Sequence, residues 1–253
     1  HLYWPIPVLE MTMSIVNNGD LKRKRRLVCL GVGLALGVAV LTSSLQAHPM
    51  DEQNAAFVQA VDGVAVFPFM YLGAKHMVTG YDHLLFLVGV IFFLYKIKDV
   101  VLYVSLFTLG HSATLLFGVL ANIGANAYIV DAIIGLSVAY KAFDNLGGFE
   151  RVFHIQPNQK TAVLVFGLFH GFGLATKVQE FTLSQTGLIT NMLSFNLGVE
   201  VGQFLALALV LIGFTYWRER DSFGQYAFAT NVALMTAGFV LAGNQMLGYV
   251  FYS

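Results

Sequence analysis

From residue 69 onward the chain alternates long apolar runs with short polar connections, and six of the runs are long enough to cross a bilayer. Their approximate spans are 69–95, 100–121, 128–145, 161–177, 191–215 and 227–251. A spanning helix needs about 20 residues at 1.5 Å each. The period-two alternation of barrel strands is absent. The pattern predicts an all-α, polytopic transmembrane bundle of six helices over 69–253, preceded by an N-terminal signal peptide or signal anchor. Residues 1–20 carry no structural signal. Residues 21–47 join a basic start, Lys22 to Arg26, to the apolar run Leu27 to Leu41 and the small residue Ala47, the three parts of a secretory signal. Residues 48–68 are polar and are expected outside the membrane. Cleavage after Ala47 would make His48 the mature N-terminus, an amine and an imidazole placed together for metal capture at the outer surface.

Composition agrees with this pattern. Of 253 residues, 57% are hydrophobic and 11% charged, against about 25% charged in soluble domains. Net charge is zero and the basic residues are bunched, so no basic surface for nucleic acid is present. Cys29 is the single cysteine, which rules out an intrachain disulfide and a multi-cysteine metal site. Lys96, Lys98, Arg151, Lys160, Arg218 and Arg220 fall in alternate connections, and Lys75 and Lys177 on the other side. The basic excess marks the cytoplasmic face. This orientation puts the chain in a bacterial-type inner membrane with both mature ends outside.

Among the ionisable residues that interrupt the apolar runs, His76, Asp82, His83, His111, His170 and Glu200 form the leading set. Placing such groups in hydrocarbon is costly, so they mark a protein interior or a water-filled path. Imidazole with carboxylate is a ligand set for divalent transition metals. His76 and His83 are seven residues apart, two turns of one helix, with Thr79 on the same stripe. Asp82 points elsewhere and is placed to orient a metal-bound imidazole of another helix. Thr108 and Thr114 flank His111. His170 lies in GLFHGFG, where Gly167 and Gly171 form a small-xxx-small surface for close helix approach. Asn196, Glu200 and Gln203 share a helical face. Asp131 and Asp144 lie near opposite ends of the third span and are candidates for the pathway.

The strings HMVTGYDHLLFL, FTLGHSATL, VDAIIGLSVAYKAFDN, FGLFHGFGLA and FNLGVEVGQ, in that order, resemble the HupE/UreJ family of membrane proteins associated with hydrogenase and urease accessory functions. The resemblance covers about Gly73 to Gln203. It implies a role in transition-metal permeation, with nickel or cobalt favoured over zinc or copper, and a metalloenzyme or accessory protein as partner. It also implies that His76, Asp82, His83, His111, His170 and Glu200 occupy the family's polar motif positions. Glutamate is expected where this chain has Asp131 and Asp144, so the charge is kept on a shorter arm.

Other readings use the same residues. Three histidines around zinc with a carboxylate base would make an intramembrane hydrolase, although no HExxH motif is present. Histidines paired across helices would bind haem. A structural or accessory subunit would use the polar centre only for packing. No GxxxxGK[ST] motif is present, which argues against ATP-driven pumping by this chain.

Overall fold

The computed structural model describes residues 61–179 and 186–252. The signal segment, His48 and most of the 48–68 connection lie outside the described residues. Those described form seven α-helices: α1 Val66–Thr79, α2 Tyr81–Ile91, α3 Ile97–Ala121, α4 Ala127–Asn145, α5 Gln159–Gln179, α6 Leu188–Arg218 and α7 Asp221–Tyr252. A five-residue π-helical turn, Phe149–Phe153, lies between α4 and α5, and no strand occurs among the described residues. Four helices, α3, α5, α6 and α7, are long and apolar enough to cross a membrane. On α6 the residues Leu193, Leu197, Val201, Leu205 and Leu209 recur every four positions and are all exposed. Such an apolar stripe suits lipid rather than water.

One expected helix is divided. The run 69–95 breaks at Gly80, whose ψ of 91° leaves the helical region while its N–H still bonds to the His76 carbonyl at 2.8 Å. Glycine is needed here for space. A Cβ at residue 80 would lie 2.9 Å from His83 Nδ1, 3.0 Å from the His76 carbonyl and 3.3 Å from Asp82 Oδ1, because the His83–Asp82 pair folds back over it.

Three helix pairs carry most of the packing: α3 with α5, α4 with α7, and α1 with α6. Each has a glycine seam. Gly73 faces the Phe195 carbonyl and Gly198 the Met70 carbonyl, while a Cβ at Gly238 would lie 2.5 Å from Ala139 N and one at Gly167 would lie 2.5 Å from the Phe107 carbonyl. Backbones this close leave no room for a side chain, the arrangement expected where helices associate without a hydrophobic driving force between them. Gly167 and Gly171 are therefore packing residues, as their spacing predicts.

The short helix α2 touches α1, α3, α4, α6 and α7, and six of its eleven residues are buried. Its far end is held from α6, where Arg218 Nη2 donates to the carbonyls of Ile91 and Phe92 at 2.6 and 2.8 Å. Asn145 of α4 donates to the Gly89 carbonyl at 2.8 Å and to Asn231 Oδ1 of α7 at 2.9 Å. Hydrogen bonds therefore fix α2 where it is needed, at the centre of the bundle.

Candidate metal site

His76 ends α1, His83 opens α2 and His111 is central in α3. One ligand nitrogen from each can be chosen so that all three lie within 4.8 Å of one another. Around His83, ring centroids stand 5.1 Å away for His76, 5.8 Å for His111 and 4.6 Å for His170. His83 is 4% exposed, and His111 and His170 are 0% exposed. His76 Nε2, His83 Nε2, both nitrogens of His111 and His170 Nδ1 have no hydrogen-bond partner among the described residues. Buried polar atoms are normally satisfied, so this concentration of unsatisfied nitrogens makes the cluster a candidate ligand-binding centre.

Neighbouring groups determine which nitrogens carry lone pairs. Asp82 Oδ1 lies 2.8 Å from His83 Nδ1 and accepts the His83 backbone N–H at 2.9 Å. A carboxylate can only accept, so Nδ1 holds the ring proton and the lone pair is on Nε2. Ser137 of α4 gives its hydroxyl proton to the Ile134 carbonyl at 2.6 Å, while its oxygen lies 3.2 Å from His170 Nε2. That oxygen is then an acceptor, so His170 Nε2 is protonated and the lone pair is on Nδ1. On both rings the free nitrogen is the one without a partner.

Several expectations need revision. His76 and His83 meet, but not as two turns of one helix; the break at Gly80 brings their rings together. Asp82 orients its own neighbour, His83, rather than a histidine of another helix, because the residue opening α2 can turn its carboxylate back onto the next ring. Thr79 does not line the site: it is exposed and its hydroxyl donates to the Lys75 carbonyl at 2.8 Å, the usual recourse of threonine in a last helical turn. Thr108 and Thr114, which flank His111, are committed to partners on other helices. The first donates to Gln203 Oε1 at 3.0 Å and the second to the Leu168 carbonyl at 2.7 Å. Gln203 in this way ties α6 to α3.

The remaining polar residues are distributed around the centre. Glu200 is half-buried on α6 and outside the three-histidine group. Asn196 is buried with neither amide atom hydrogen-bonded among the described residues. Asp131 pairs with Lys177 at 2.8 Å, and Asp144 pairs with Lys141 at 2.6 Å while accepting from Gln159 at 3.1 Å. The two aspartates, thirteen residues apart, are separated by about 20 Å along α4. Ser137 and Lys141 carry no role in the sequence reading, and Lys177 enters it only as a charge that marks orientation. Ser137, Lys141 and Asp144 follow one another at i, i+4 and i+7, a same-face spacing that was available as a signal.

No curated protein and no solved structure matches this chain. A family model described as HupE / UreJ protein matches residues 51–253, which include all seven helices described and His76, His83, His111 and His170. With its apolar helices and lipid-suited faces this is a membrane protein, and the chain belongs to the HupE/UreJ family.

Proposed function

We propose that this protein is a permease for a divalent transition metal, Ni²⁺ or Co²⁺, which passes through the histidine centre. The observation that carries this reading is the group of ligand nitrogens from His76, His83 and His111 within 4.8 Å, buried in a bundle of apolar helices. Neutral imidazoles suit Ni²⁺ and Co²⁺ better than they suit hard cations. A permeation site must bind well enough to admit a dehydrated ion and weakly enough to release it, and three neutral ligands meet both needs better than a cage of charged ones. Asp82 supports the set by holding His83 in its ligand tautomer. The metal is cargo, and Glu200 and Asn196 line its approach from α6.

In this reading the protein sits in an inner membrane, with the Asp144 end of α4 toward the cytoplasm and the Asp131 end outward, as the Lys and Arg distribution favours. His48 would serve as an outer capture residue, and a metalloenzyme or its accessory protein would receive the ion inside. The hydrolase reading, with Asp82 or Glu200 as the base, is weaker because it needs a free carboxylate beside the metal: Asp82 is engaged with His83, and Glu200 is outside the three-histidine group.

Uptake of radioactive nickel or of cobalt by proteoliposomes holding the full chain tests the proposal. His83→Ala and His111→Ala are expected to abolish accumulation while membrane abundance stays normal. Unchanged uptake in both variants would reject the site. Tight binding by the wild type without transport would point instead to an accessory role.

A further inference from the structure

Resting on the permease reading, we infer that His170 is a second metal station, which takes the ion from the three-histidine group through the shared ligand His83. His170 is outside that group, yet its ring is nearer to His83 than either partner's, at 4.6 Å and an interplanar angle of 83°. Its Nδ1 is fully buried and has no hydrogen-bond partner among the described residues. The Ser137 contact leaves the lone pair on that same nitrogen. His83 has a single lone pair, on Nε2, because Asp82 holds Nδ1. One lone pair cannot serve two ions at once, so the two stations are filled in turn. The ion exchanges His76 and His111 for His170 while His83 stays bound.

The aromatic rings beside His170 supply a direction. Phe86 lies 5.5 Å from His170 and 5.6 Å from Phe166 by ring centroids. Both phenylalanines line a crevice together with Tyr140, Lys141, Asp144 and Gln159. Ser137, Lys141 and Asp144 share one face of α4, so the face that orients His170 also carries the carboxylate at the crevice. Phe86 therefore touches His170 and lines the crevice that holds the Asp144 carboxylate.

His170→Gln and His170→Asn test this, because the two amides place a polar atom differently. Glutamine reaches the Nε2 position and keeps the Ser137 contact, whereas asparagine keeps an oxygen near Nδ1. Co²⁺ binding is titrated on the purified full-length protein, and Co²⁺ uptake is measured in proteoliposomes. Both variants are expected to bind one Co²⁺ per chain with affinity within about threefold of wild type, since the three-histidine group is untouched; retained binding also reports an intact bundle. Uptake by the glutamine variant is expected to fall at least about tenfold, the lower range for loss of a residue supporting a metal site, and the asparagine variant to keep more. Binding lost in both variants would make His170 part of one four-histidine site and overturn the hand-off. Normal uptake by the glutamine variant, or more uptake from glutamine than from asparagine, would reduce His170 to a partner of Ser137 and also overturn it. His83→Ala separates the two levels: if that variant still binds Co²⁺ normally, the underlying site fails and not merely the second station.

Discussion

Asp82→Asn isolates the tautomer argument. The substitution keeps the volume and shape of the side chain, so the space above Gly80 and the packing of α2 are unchanged. It removes the charge from an oxygen that holds both His83 Nδ1 at 2.8 Å and the His83 backbone N–H at 2.9 Å. A hydrogen bond to a charged acceptor is roughly twice as strong as its neutral counterpart. The amide NH₂ can also rotate toward Nδ1, which would move the ring proton to Nε2 and remove the lone pair from the ligand position. Loss of the group that orients a metal-bound histidine typically costs 10–100-fold in affinity, or about 1.4–2.8 kcal/mol. Titration of purified wild type and Asp82→Asn with Co²⁺, with His83→Ala as the reference for a lost ligand, measures the effect. An Asp82→Asn affinity within about threefold of wild type would refute the claim that Asp82 governs the His83 tautomer.

Two further substitutions test how the bundle holds the site. Gly167→Val would force a Cβ against the Phe107 carbonyl, 2.5 Å away; overpacking of this kind costs about 1–3 kcal/mol or more, so the variant should unfold at a lower temperature in detergent, whereas Val165→Ala at an exposed position of the same helix should not. Arg218→Ala removes two charge-assisted bonds to the end of α2, each worth about 1.5–3 kcal/mol when buried and less at this half-buried position. Its thermal midpoint should fall while Co²⁺ affinity stays near wild type, because the histidines lie at the other end of α2.

Much of this molecule was legible along the chain. Apolar runs of bilayer length separated by polar turns could only become helices packed in a nonpolar medium, because an unpaired backbone amide in hydrocarbon costs several kcal/mol. Five of the six expected runs form single helices, four of them long and apolar enough to cross a membrane, and the small-xxx-small spacing of Gly167 and Gly171 marks a close contact that the structure places against α3. His83, His111 and His170 stood out because ionisable residues are costly in such runs, and the structure brings those three together with His76 at the centre.

What the chain order could not disclose was direction. A hydropathy window treats 69–95 as continuous, whereas the break at Gly80 comes from the fold of Asp82 and His83 over a residue without a side chain. The two-turn spacing of His76 and His83 described a helix that does not exist, although the two rings meet. Thr108, Thr114 and Gln203 are polar residues in apolar helices, and only their partners on neighbouring helices reveal that they tie the bundle together. The decisive case is the imidazole nitrogen. Composition names seven histidines, but which four meet is a matter of folding, and which nitrogen of His83 and of His170 is left with a lone pair depends on Asp82 beside the first and Ser137 across from the second. Both are determined by where protons are already committed, and that is a property of tertiary contacts rather than of residue order.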